Sequence, residues 1–309
     1  MPIARSLLLG ASRSRWLREQ ITNRAFARRA VKRFMPGERL DAALEAARDL
    51  ARQGLGTVVT QLGENLTSLA EADAVRDHYL GVFDVIQSSG LPTWPSVKPT
   101  QLGLDLSFDA CLANLTALAV RADAADSMLW IDMEDSRYVD RTLELFRRLM
   151  TAQRRPVGVC LQAYLWRTPD DVRSLLPLKP AIRLVKGAYA EPPDVAFPAR
   201  RNTDLAYERL ARALLEAAAR GGALPVFGTH DTALLSRITK HARDLGVRDG
   251  AWEIHMLYGI RAAEQRALAS AGRRVRTLIS YGEHWFPWYM RRLAERPANV
   301  WFVVRSVFA

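Results

Sequence analysis

Short apolar runs of strand length recur along the chain with polar or helix-patterned sequence between them. They fall at residues 56–62, 94–100, 128–134, 157–165, 181–189, 224–230, 252–258 and 275–280. The stretches between them, such as 140–155, 203–221 and 231–246, carry apolar residues at spacings of three and four. That spacing predicts helices with one buried face. An earlier helix is predicted over 36–54, from Pro36 and Gly37 to the stop at Gly54. Alternating strands and helices predict a parallel sheet. Eight strand-helix units over roughly 250 residues fit a (β/α)8 barrel better than a doubly wound sheet. The expected organisation is therefore an N-terminal helical segment over 1–53 and a barrel over 54–309. A Rossmann arrangement is disfavoured further, because Gly54-x-Gly56 lacks a third glycine and precedes a strand instead of following one.

In such a barrel the chemistry sits at the carboxyl ends of the strands, and unusual polar residues stand there. Glu64 follows the first run, Lys98 lies in the second, Asp132 and Glu134 in the third, and Gln162 in the fourth. Arg183 and Lys186 lie in the fifth, Thr229 and His230 end the sixth, and Tyr258 ends the seventh. Charges inside apolar strands must be paired with one another or with a ligand. Lys98, Arg183 and Lys186, with Arg291 and Arg292 near the end of the chain, oppose only Glu64, Asp132 and Glu134. The surplus of cations predicts an anionic ligand, carboxylate or phosphate. Lys186-Gly187-Ala188-Tyr189 offers backbone N–H groups with little side chain in the way, which suits close approach of a ring edge or phosphate. The aromatic stretch Trp285, Phe286, Trp288 and Tyr289 leads directly into Arg291 and Arg292.

Composition narrows the functional classes. The formal net charge is +11, and residues 1–35 hold nine basic side chains against Glu19 alone, so most of the excess is local. No zinc-spaced or RNA-binding signature accompanies it, which argues against nucleic acid as a partner. No apolar run approaches the roughly 18 residues of a membrane span. Cys111 and Cys160 have no CxxC spacing and read as reduced thiols, so a cytoplasmic setting is expected. The histidines show no metal-ligand spacing and no GxSxG motif is present, so neither a metal centre nor a serine nucleophile is expected.

The stretches "LWIDMEDS" (129–136), "LQAYL" (161–165), "IRLVKGAY" (182–189), "THD" (229–231), "MLYGIR" (256–261) and "YGEHWFPWYMRRLAERPANV" (281–300) together resemble the proline dehydrogenase family, in its short monofunctional bacterial form. The resemblance runs in order from about residue 33 to the C-terminus. It implies a distorted TIM barrel whose final helix lies over the mouth, with FAD bound along the carboxyl ends of the strands. Position by position it implies that Gln162, Lys186, Gly187, Ala188, Thr229 and His230 contact FAD. Lys98, Arg291 and Arg292 would hold a substrate carboxylate, and Tyr258 would join the substrate site. Asp132 would orient the cationic residues, while Arg183 would sit beside the flavin and close the site as an ion pair with Glu64. The implied reaction is hydride transfer from L-proline to the flavin, with electrons passed on to a quinone. The basic N-terminal segment would then suit peripheral contact with an anionic membrane face.

Two positions depart from that family's usual pattern. Leu278 stands where a tyrosine is usual in Tyr-x-Pro-Tyr-Gly, and Trp288 replaces a second tyrosine beside the arginines. Both would line the substrate ring, so a substituted proline such as hydroxyproline, or another cyclic imino acid, is the alternative substrate. A flavin barrel reductase of the methylenetetrahydrofolate reductase kind and a basic, non-enzymatic binding protein are the remaining alternatives. The adjacent arginines favour a small carboxylate over a folate.

Overall fold

The computed structural model describes residues 31–63, 66–153, 156–286 and 288–290. Eight parallel strands close into a barrel in sequence order. They are β1 (Gly56–Gln61), β2 (Thr93–Val97), β3 (Leu129–Ile131), β4 (Val157–Gln162), β5 (Ala181–Val185), β6 (Leu224–Gly228), β7 (Glu253–Leu257) and β8 (Val275–Tyr281). Closure is made by β8 against β1, with Gly56 opposite Arg276 and Gln61 opposite Tyr281. All eight expected strands are present. Several end two to four residues before the apolar run does, because the polar residues at the carboxyl ends leave the ladder.

The helices are α1 (Leu40–Ala51), α2 (Leu69–Ser89), α3 (Phe108–Ala124), α4 (Val139–Gln153), α5 (Thr168–Leu175), α6 (Arg200–Ala219), α7 (Thr232–Asp244) and α8 (Ala262–Ser270). Their starts are chemically marked. Ser68 accepts from the Glu71 N–H, and Glu71 returns a bond to the Thr67 N–H at 2.7 Å. Ser107 caps α3 and Asp231 caps α7 through the Leu234 N–H. Each such cap satisfies an N–H that the helix cannot, worth about 1 kcal/mol. Helix α1 packs on β1 and β8 and so covers the seam that a helix following β8 would cover in a regular barrel. That leaves the chain after β8 free to cross elsewhere. Trp285, Phe286, Trp288, Tyr289 and Met290 bury against Val31, Phe34, Met35 and Leu62, the last at the carboxyl end of β1.

The strands are buried on both faces, as parallel strands are. Outward residues such as Val59, Ile131, Val159, Leu184, Phe227 and Ile279 join the helices in the main core. The inward set is different. Val58, Trp130, Ala181 and Val226, with Trp94 and Leu278, form a small apolar cluster inside the barrel. At the amino end below it lies the buried carboxylate of Glu253, 2.9 Å from Arg276 and 2.6 Å from Arg274. Arg276 also lies over the Trp94 ring, 3.1 Å from its centroid.

His255 is sealed in the same layer, 3.4 Å from Glu253 and edge-on to Trp130. Burial pushes its pKa down to about 4; Glu253 opposes the shift, and Arg183 and Arg276 add to it. The sign follows. An unfolded His255 binds a proton below about pH 6.5, whereas the folded one refuses it until about pH 4. Stability is therefore full above pH 6.5 and falls as pH drops toward 4, by about 3 kcal/mol at most. His255→Gln keeps a side-chain N–H for Glu253 and removes the titration. Thermal melts between pH 7.5 and 4 should fall less steeply for this variant than for wild type; parallel curves would remove His255 as the cause.

Candidate active site at the carboxyl end of the barrel

Period-two alternation carries Trp94, Ser96 and Lys98 along one face of β2 and its extension, and Trp130 and Asp132 along the same face of β3. Ser96 pairs with Trp130 in the ladder, so the residues that follow converge at the mouth. Asp132 is the hub. One carboxylate oxygen accepts from Ser96 Oγ at 2.8 Å and from Arg183 Nη2, and the other lies 3.4 Å from Lys98 Nζ. Arg183 Nη2 also reaches Ser96 Oγ at 3.0 Å. Burial alone would raise the Asp132 carboxyl, but Lys98, Arg183 and the Ser96 hydroxyl outweigh it and hold it below the usual carboxylate range. Asp132 is thus ionised at neutral pH, with two buried cations sharing it. Arg183 Nη1 is buried and has no hydrogen-bond partner among the described residues.

Beside it, Gln162 ends β4 and donates through Nε2 to the carbonyls of Glu134 at 3.2 Å and Met133 at 3.4 Å. Its Oε1 is buried without a partner among the described residues. A buried acceptor and a buried guanidinium donor, on neighbouring strands, each cost free energy if left unmade. They fit the edge of a heterocycle that carries both N–H and acceptor atoms, such as a flavin ring. The turn after β5 fits as well. Gly187 takes φ +114°, and a Cβ there would lie 2.2 Å from the Tyr164 ring. Only glycine lets the Lys186–Ala188 backbone lie so close. Ala188 follows in the same turn, half-buried.

The remaining residues expected at the site are placed as follows. Lys186 bonds to Asp204 at 2.5 Å and Asp231 at 3.1 Å. This corrects the charge count: two acids from helix starts neutralise Lys186, and Glu134 is turned to the Thr100 N–H and hydroxyl. At the mouth, among the described residues expected at the site, the remaining cation excess is Lys98 and Arg183 on Asp132. Thr229 accepts from the Asp231 N–H at 3.2 Å. His230 Nε2 accepts from the Leu257 N–H at 2.9 Å, which makes His230 a neutral imidazole protonated on Nδ1. Leu278 is half-buried on the inner face of β8, beside Leu257 in the ladder.

Tyr258 is placed differently from expectation. His255 points inward, so alternation turns Tyr258 outward, where it lines a cavity of about 520 Å³ with Ala42, Glu45 and Asp49 of α1. It does not meet the Asp132 cluster. Trp288 is buried with Val31, Phe34, Met35 and Leu62. Glu64, Arg291 and Arg292 lie outside the described residues. Ser96, Asp204 and Asp231 were not anticipated as site residues. Ser96 had a signal, since it alternates between Trp94 and Lys98.

A parallel (β/α)8 barrel with an internal cation–carboxylate hub at its mouth, flanked by a donor and an acceptor that have no partner among the described residues, has the architecture of a barrel enzyme. The family model for proline dehydrogenase matches residues 43–305. Proline dehydrogenase 1 of Bacillus subtilis is 36% identical over 280 residues, covering 91% of this chain and 91% of that protein. The proline dehydrogenase of Deinococcus radiodurans is 35% identical over 281 residues, covering 90% and 89%. The chain belongs to the proline dehydrogenase family. A solved structure of proline utilization A from Bdellovibrio bacteriovorus, inactivated by N-propargylglycine, superposes with a TM-score of 0.81 at 24% identity, over 87% of this chain and 33% of that longer one. That likeness bears on the fold: both contain this barrel.

Among the described residues no helix is long and apolar enough to cross a membrane, and no group of three or more potential metal ligands is present.

Proposed function

We propose that this chain oxidises L-proline to 1-pyrroline-5-carboxylate with FAD as its cofactor and passes the electrons to a quinone. The observation that carries the reading is the Lys98–Asp132–Arg183–Ser96 hub, with a guanidinium nitrogen that has no partner among the described residues, in a chain of this family. When bound, the flavin supplies the acceptor for the hydride that leaves the ring carbon next to nitrogen. The protein supplies position and charge. Lys98, with Arg291 and Arg292 from the end of the chain, holds the substrate carboxylate. Asp132 keeps Lys98 and Arg183 oriented, and the amine must reach the site neutral so that nitrogen's lone pair can form the C=N bond. Gln162 Oε1, Arg183 Nη1 and the Lys186–Ala188 backbone hold the cofactor ring, with Thr229 and His230 shaping the floor of the turn beside it. Little acid–base chemistry is required of side chains, so catalysis is positioning plus electrostatics.

The alternative substrate is a ring-substituted proline, favoured by one observation: Leu278 presents a half-buried aliphatic wall on the inner face of β8, without a hydroxyl. A visible spectrum of the purified protein, with and without added FAD, tests the cofactor. Steady-state rates with L-proline and trans-4-hydroxy-L-proline test the substrate. The expected result is a flavin spectrum bleached by proline, with kcat/KM at least about tenfold above that for the hydroxylated ring. A preparation that takes up no FAD overturns the cofactor, and a reversed preference replaces the substrate.

A further inference from the structure

We infer that Trp130 is a positioning residue: its indole face sets the orientation of the Arg183 guanidinium, whose Nη2 is bonded to the Asp132 hub. The consequence for catalysis rests on the functional reading above; the placement of Arg183 does not.

The guanidinium carbon of Arg183 lies 4.9 Å from the Trp130 ring centroid, within cation–π range. Nη2 is committed to Asp132 and Ser96. A planar guanidinium fixed at one nitrogen by two acceptors can still pivot about that anchor, and the ring face removes that freedom. The ring itself cannot move. Trp130 is fully buried, and at its ladder neighbour Gly158 a Cβ would lie 2.5 Å from the indole, so the glycine is the space the ring occupies. His255 meets the ring edge-on at 5.5 Å between centroids, and His255 is itself held by Glu253.

The Trp130 Nε1–H is buried without a partner among the described residues. A buried unpaired N–H is a cost, so the side chain is not there for its hydrogen bond. What it supplies to Arg183 is a flat π face. The same arrangement recurs one layer down, where Arg276 lies over Trp94 and bonds to Glu253 through Nε and to the Pro92 carbonyl through Nη1. Arg183 Nη1 is fully buried and has no partner among the described residues.

The test compares Trp130→Met, which keeps apolar bulk without a π face, with Trp130→Phe, which keeps a ring and removes the orphan N–H. Two quantities are read on the full-length, FAD-loaded protein: the Nε–H resonance of Arg183, assigned with Arg183→Lys, and kcat and KM for L-proline across pH 6 to 9. In wild type and Trp130→Phe the resonance should be shifted by the ring, with kcat/KM equal within about threefold. In Trp130→Met the shift should vanish and kcat/KM should fall about tenfold or more, with KM and the profile's acid limb moving together. An unmoved Arg183 resonance in Trp130→Met overturns the inference, as does a Phe variant as impaired as the Met variant. Should Trp130→Met not fold, Trp130→Phe decides alone: a cooperative melt with the ring shift lost overturns it, and retention of shift and rate supports it. If wild type bears the shifted resonance but does not oxidise proline, the functional reading fails while the placement of Arg183 stands.

Discussion

Asp132→Asn is expected to lower kcat/KM for proline by at least about 100-fold and to destabilise the protein by about 3 kcal/mol or more. The substitution keeps the side chain's shape and leaves Ser96 and Arg183 an acceptor oxygen, while it removes the charge and sets an N–H donor against Lys98 Nζ. What remains is two buried cations, Lys98 and Arg183, with the carboxylate they share gone. Breaking a buried pair at one partner costs about 3–5 kcal/mol, because the other charge stays behind in a poor solvent. The kinetic loss has a separate origin. Lys98 and Arg183 are aimed by charge-assisted bonds to Asp132, each worth about 1.5–3 kcal/mol, and about 1.4 kcal/mol of lost transition-state stabilisation is tenfold in rate. The wild-type hub is robust to pH because Asp132 titrates below the usual carboxylate range. Its contribution is complete above the unfolded pKa near 4 and is lost only as pH falls through the lower folded value. The Asn variant should therefore show at neutral pH a melting point and a KM that wild type approaches only in acid. A variant within threefold of wild type in kcat/KM, with an unchanged melt, would remove Asp132 from its central place.

The barrel was legible because the strands are buried on both faces and so read as apolar runs, and because glycines and helix caps separate them. The carboxyl ends were less legible. The run 128–134 continues smoothly into Asp132, yet β3 ends at Ile131, since Asp132 and Glu134 serve side-chain partners from β2 and the turn after it. Nothing local in the chain marks that change. Asp204 was invisible for the same reason: it sits in the first turns of α6, 18 residues beyond Lys186, and only the βα connection brings the two together. Tyr258 lies three residues beyond the inward-facing His255 and lines the cavity beside α1, a placement that the strand-end position alone could not show. Glu253 and Arg276 carry no motif that singles them out in the sequence; closure of β7 against β8 brings them together inside the barrel. Charges at both ends of one barrel interior, separated by Trp94, Trp130 and His255, can be recognised only once the strands are in register.

Gly187→Ala is expected to weaken FAD binding by at least about tenfold and to destabilise the protein by about 2 kcal/mol or more. Two effects act together. The backbone at Gly187 takes φ +114°, outside the regions open to an L side chain. The added methyl would also lie 2.2 Å from the Tyr164 ring. Relief through Tyr164 is blocked, because that residue is buried and its N–H is bonded to the Lys186 carbonyl at 3.0 Å. The turn must therefore move, carrying Lys186 and Ala188 with it and loosening Lys186 from Asp204 and Asp231. A control separates strain from contact. Gly54 also has positive φ, +75°, but a Cβ there meets nothing within 4 Å. Gly54→Ala should cost only about 1 kcal/mol and leave flavin affinity unchanged. Flavin fluorescence titrations of the two apoproteins, beside their thermal melts, make the comparison. If Gly187→Ala binds FAD as wild type does while melting lower, the turn after β5 is a structural turn only, and the assignment of Lys186, Gly187 and Ala188 to the cofactor falls.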